Sequence, residues 1–121
     1  YVMQKLEQGI DVILEIEMQG ALKVKERFPE VSLIFITPPD AKVLRERLEG
    51  RGTETQDVIE KRLARAAQEC AYMDQYDYIV INDDLNVCVE QIHGLIQALH
   101  WKCVNQQGQI AKMKGEFANK A

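Results

Sequence analysis

Short runs of β-branched and apolar residues recur along this chain, separated by amphipathic stretches with helical spacing. Asp11-Val-Ile-Leu-Glu-Ile16, Val31-Ser-Leu-Ile-Phe-Ile36 and Tyr78-Ile-Val-Ile81 have the length and composition of strands. The first is nearly unbroken in its apolar character, so it is expected to be covered on both faces, as in a parallel sheet, and Val31–Ile36 is expected to be a second buried strand. A strand–helix alternation of this kind needs crossover connections, which are right-handed and layer helices on the sheet. The expected fold class is therefore α/β. In such sheets ligands bind beyond the carboxyl ends of the strands. That rule selects Glu15 with Glu17, Thr37-Pro38-Pro39, and Asn82 with Asp83.

The stretches between the strands carry their own start and stop signals. Tyr1–Leu6 reads as the tail of a helix that Gly9 stops. Gln19-Gly20 turns the chain into a helix over Ala21–Phe28, which Pro29 ends. Asp40 is a good N-cap for a helix through Glu49 with Val43, Leu44 and Leu48 inward. Gly50-Arg51-Gly52 breaks that helix. The next runs from about Thr55 to about Met73, with Ile59, Leu63, Ala66, Ala67 and Cys70 forming one stripe. Arg62 lies beside the stripe and Arg65 farther round. A long last helix is expected over Leu85–Val104, with Val89, Ile92, Leu95, Ile96 and Leu99 inward. Residues 105–121 are rich in Gln, Lys, Asn and Gly and are expected to be frayed.

A net charge of −4 argues against a nucleic-acid surface as the main partner. No apolar run approaches the ~18 residues that a membrane span needs. With no secretory signal in view, a cytoplasmic location is the expectation. The cysteines, three in number and widely spaced, read as reduced thiols rather than a zinc site. What remains distinctive is the pair of arginines, Arg51 and Arg62, on one glycine-hinged arm. A guanidinium has a permanent charge and a forked donor set, which suits a transferring phosphoryl group. The competing reading is a solvated face on which Glu54, Asp57 and Glu60 pair with the arginines locally. Glu15 and Glu17 share one face of their strand, and can accept hydrogen bonds from a base or hold water around Mg²⁺; alternatively, one caps a helix and the other is solvated. Asn82 can read a purine edge or make an Asx-type turn. His93 and His100 read as surface residues, and Trp101 as a packing residue.

Taken in order, Asp11-Val-Ile-Leu-Glu-Ile-Glu-Met-Gln-Gly-Ala21, Phe35-Ile-Thr-Pro-Pro39, Leu48-Glu-Gly-Arg-Gly-Thr-Glu54, Lys61-Arg-Leu63 and Asn82-Asp-Asp84 resemble guanylate kinase. The resemblance runs from Asp11 to about Leu99. It implies the three-layer, parallel-sheet P-loop nucleoside monophosphate kinase fold, and transfer of a phosphoryl group from ATP to GMP, giving ADP and GDP with Mg²⁺. By the same resemblance, residues of about 50–73 form a lid over ATP, and Arg51 and Arg62 carry the transferring phosphoryl group. Asn82 and Asp83 lie at the adenine, with Arg47 near its ring. Glu15 and Glu17 lie on the guanine and metal-water side.

Two departures qualify the resemblance. Many members of the family have aspartate where this chain has Glu15 and Glu17. In addition, no Gly-x-x-x-x-Gly-Lys-Ser/Thr occurs, so the phosphate-cradling loop is absent from these residues, as is most of the GMP-binding lid. The expectation is a C-terminal part of a guanylate kinase domain over residues 1–104. In the family the phosphate-loop strand lies between those matching Asp11–Ile16 and Val31–Ile36. Without it, backbone groups are left unpaired or a re-pairing is forced, and the segment alone is expected to be marginally stable and inactive. The alternative from another class is a catalytically dead guanylate-kinase-like module that binds a protein partner.

Overall fold

The computed structural model describes residues 1–120; Ala121, at the end of the stretch expected to be frayed, lies outside the described residues. The elements in chain order are α1 (Val2–Glu7), α2 (Met18–Arg27), β1 (Ile34–Thr37), α3 (Ala41–Gly50), α4 (Gln56–Cys70), β2 (Tyr78–Ile81), α5 (Leu85–Leu99) and α6 (Gln107–Lys120). Single 3₁₀ turns at Met73–Gln75 and Cys103–Asn105 follow α4 and α5.

β1 and β2 pair in parallel, with Ile34 opposite Tyr78 and Thr37 opposite Ile81. The crossover between them is α3, the glycine hinge and α4. Asp77 fixes where the ladder begins: its carboxylate accepts the Leu33 N–H at 2.8 Å, while the Leu33 carbonyl accepts from Asp77 and Tyr78. At the other end the Asn82 N–H donates to the Thr37 carbonyl at 2.7 Å. The strand therefore starts at Ile34 rather than at Val31.

Asp11–Ile16 corrects the sequence reading. It is an unpaired segment with Ile13, Leu14 and Ile16 exposed, and it joins no sheet among the described residues. Apolar, β-branched composition favours a strand only where a neighbouring backbone supplies hydrogen-bond partners. None lies alongside here. β1, expected to be a buried strand, leaves Ile36 51% exposed, and β2 is covered on one face only. Val80 is buried, whereas Ile79 and Ile81, pointing to the other side, are 50% and 53% exposed.

The helices are capped as their sequences require. Glu17, Asp40, Thr55 and Asp84 each accept a backbone N–H of the first turn of α2, α3, α4 and α5 in turn. Gly52 ends the turn after α3 with φ +64, a left-handed conformation that disfavours side chains. Helix faces depart from expectation in detail. On α4, Ile59, Leu63 and Ala66 turn inward while Ala67 and Cys70 are exposed. On α5 the inward residue of the first turns is Cys88, and Val89 is exposed.

α5 stops at Leu99, short of the expected Val104, because side chains satisfy its last carbonyls. Asn105 Nδ2 donates to the Leu99 carbonyl and Gln106 Nε2 to that of His100. The chain then enters α6, where a frayed tail was expected. Trp101 is exposed rather than packed. The core is thin: among the described residues, Ala21, Leu33, Leu48, Ile59, Val80 and Cys88 are the buried apolar ones, drawn from five elements and the lead into β1.

Candidate functional site

The carboxyl ends of β1 and β2 and the approach to α2 carry the candidate residues. Arg47, on the last turns of α3, reaches across to the end of β2. Its Nη1 donates to the Asn82 carbonyl at 2.7 Å and its Nη2 to the Asp83 carbonyl at 3.3 Å. The forked guanidinium thus spans two consecutive carbonyls through two separate nitrogens, a geometry that a single ammonium nitrogen does not match. The structure brings Arg47, Asn82 and Asp83 together. Asp83 and Asp84 also line an open groove of about 400 Å³ whose floor is Ile79, Ile81 and Val87.

Glu17 and α4 face each other across a smaller cleft, about 160 Å³, lined by Glu17, Met18, Gln19, Arg65, Gln68 and Glu69. Tyr76 lies close by. Partial burial pushes its hydroxyl pKa up, and the charges of Glu69 and Glu17 push it the same way. Glu17 itself is occupied by its own helix: Oε1 accepts the Gly20 N–H at 2.6 Å and Oε2 the Gln19 N–H at 3.1 Å. Glu15 is exposed and takes no part in the hydrogen bonds or ion pairs found among the described residues. The two acids, alike in sequence, are therefore in different states.

The arm between the glycine hinge and α4 places the arginines separately. Arg51 is the C-cap of α3 and is exposed, without an ion pair among the described residues. Arg62 meets Glu54 at 2.8 Å. Arg45 meets Glu60 at 2.9 Å and Glu49 at 3.6 Å, tying α3 to α4 and raising the Arg45 pKa, chiefly through its hydrogen bond to Glu60. Local acid pairing of the kind weighed from the sequence is thus real for Arg62. Sequence reasoning singled out neither Arg65 nor Glu69 as cleft residues. Their helical spacing from Arg62 was the available signal, since residues three and seven apart share a side of a helix.

No group of three His, Cys, Asp or Glu side chains with metal-binding geometry occurs among the described residues. The cysteines are free thiols, Cys88 buried and Cys70 and Cys103 exposed. No helix of the described residues is long and apolar enough to cross a membrane.

A parallel β–α–α–β crossover, with Asn82 and Asp83 at its strand ends and the arginines on the arm that joins the strands, makes this an α/β domain. Its structural match below makes it part of a P-loop kinase fold. Comparison with known proteins makes the class specific. Residues 1–99 match the guanylate kinase family. The chain is 46% identical over 116 residues to guanylate kinase from Streptococcus mutans serotype c, covering 96% of this chain and 55% of that protein. It is 45% identical over 120 residues to guanylate kinase from Streptococcus agalactiae serotype III, covering 99% and 57%. The crystal structure of guanylate kinase from Anaplasma phagocytophilum superposes with a TM-score of 0.78 at 29% identity, covering 96% of this chain and 55% of that one. The chain belongs to the guanylate kinase family. It spans about half the length of the curated relatives it matches.

Proposed function

We propose that this chain supplies the lid-arm and adenine-side half of an enzyme that transfers a phosphoryl group from ATP to GMP, giving ADP and GDP. The observation that best supports this reading is the Arg47 fork on the Asn82 and Asp83 carbonyls, which braces the strand-end loop where the adenine would lie. Arg51 and Arg62 are proposed as the catalytic pair. Their guanidinium groups would lie over the equatorial oxygens of the transferring group, an arrangement worth ~10³ or more in rate. Glu15 and Glu17 are proposed on the GMP side. Of the two, Glu15 would make the direct contact, because Glu17 already holds the first turn of α2 with both oxygens.

Mg²⁺ would arrive with ATP. The described residues offer it no direct ligand set, and the fit is limited to an exposed carboxylate such as Glu15 meeting its water shell. When bound, the ion would neutralise charge on the phosphates. The residues of this chain would bind the nucleotides, orient them and exclude water. A cytoplasmic location belongs to the same proposal, as does the absence of a nucleic-acid or membrane partner.

The 121 residues alone are expected to be inactive. Joined to the part of the Streptococcus mutans relative that they do not match, they are expected to convert GMP and ATP to GDP and ADP. A coupled assay of ADP release, with and without GMP, tests both statements. A folded chimaera without GMP-dependent turnover would refute the proposal, and turnover by the 121 residues alone would refute the expected inactivity.

A further inference from the structure

Glu54 lies between Gly52, whose φ is +64, and Thr55, the N-cap of α4. It precedes the helix, yet its Oε1 meets Arg62 Nη2 at 2.8 Å. From the first residue of α4 to Arg62 the helix rises about 9 Å, a gap the two long side chains span, since the arginine leans toward the helix N-terminus. The Glu54 side chain is only 17% exposed, against 48% for Arg62. Its other oxygen, Oε2, is buried without a hydrogen-bond partner among the described residues.

This is an unfavourable arrangement for a pair that only stabilises a helix. Surface pairs of that kind sit at helical spacings of three or four and stay hydrated, as Arg65 and Glu69 do here. A covered carboxylate with an orphaned oxygen is a standing cost that calls for another explanation. We propose that Glu54 is a positioning residue for Arg62. The ion pair at Nη2 tethers the guanidinium by charge and so limits where its remaining donors meet a phosphoryl oxygen. Those donors have no partner among the described residues. The inference rests on the role proposed above for Arg62 and adds the group that aims it.

The test uses the same chimaera. Glu54→Gln keeps an acceptor but loses the charge; it is expected to lower kcat about tenfold while both KM values stay within about twofold. Glu54→Asp keeps the charge but withdraws the oxygen by one methylene, and a similar fall is expected at an unchanged melting temperature. This variant carries the test should Glu54→Gln fail to fold. In an Arg62→Ala background either change is expected to have less than about a twofold further effect, because a residue acting through Arg62 has nothing left to aim. An unchanged kcat in the single Glu54 variants overturns the inference, as does a loss that multiplies fully with that of Arg62→Ala. If Arg62→Ala itself leaves kcat unchanged, or the unsubstituted chimaera is folded but inactive, the underlying reading fails and takes this inference with it. A loss in Arg62→Ala without one in Glu54→Gln or Glu54→Asp overturns this inference alone.

Discussion

Lys25 of α2 and Asp77, the residue before β2, meet at 3.0 Å although 52 residues separate them in sequence. The same Asp77 oxygen accepts the Leu33 N–H at 2.8 Å, and the Lys25 ammonium also donates to the Val31 carbonyl. One carboxylate thus fixes α2, the lead into β1 and the start of β2. Partial burial pushes the Asp77 pKa up, but the Leu33 N–H and the Lys25 ammonium outweigh it and leave the carboxyl below its usual range. A depressed carboxyl stabilises the fold fully above the ordinary value of about 3.9, and that contribution is lost as the pH falls through the folded-state value. Asp77→Asn should cost about 1 kcal/mol at neutral pH, with solvent screening allowed for. Urea melts from pH 7 downward should show the gap between wild type and variant closing in acid. A gap constant with pH would assign the effect to packing instead.

Arg47 spans the Asn82 and Asp83 carbonyls with two nitrogens. Arg47→Ala should lower stability by about 1 kcal/mol. In the active chimaera it should raise the KM for ATP more than that for GMP. Arg47→Lys should recover less than half of either effect, since an ammonium lacks the fork. Full recovery by lysine would show that charge, not geometry, is what the loop requires.

The two glycines of the hinge should respond oppositely to alanine. A Cβ at either Gly50 or Gly52 meets nothing within 4 Å, so neither change produces a clash. Gly52 has φ +64, whereas Gly50 closes α3 as a helical residue. Gly52→Ala should destabilise by about 1 kcal/mol, and Gly50→Ala should be neutral or stabilising by up to about 1 kcal/mol. Thermal melts of the two variants suffice, and equal shifts would contradict the backbone argument.

Glu15 and Glu17 should separate by readout. Glu17→Ala removes the cap of α2 and should cost about 1 kcal/mol of stability. Glu15→Gln, at an exposed position without an intramolecular partner, should stay within about 0.5 kcal/mol. In the chimaera it should nonetheless weaken GMP use more than ATP use. Equal effects on the two nucleotides would count against a GMP-side position for Glu15.

Much of this protein was legible in the order of its residues. The cap Asp40, the hinge at Gly50-Arg51-Gly52, the inner face of α3 and the limits of β2 follow from local chemistry: a capping oxygen, positive-φ glycine and apolar periodicity act within a few residues. So does the family, because its motifs are local sequences in a fixed order. Other features were settled by groups distant in sequence. Asp11–Ile16 has strand composition but no strand beside it, and only tertiary placement could show that. Glu15 and Glu17 are equivalent on paper, and the turn into α2 separates them. The Arg47 fork on Asn82 and Asp83 likewise depends on where the crossover returns. Hydrogen-bond partners and burial are properties of three-dimensional neighbours, so the sequence named the groups and the fold decided which of them meet.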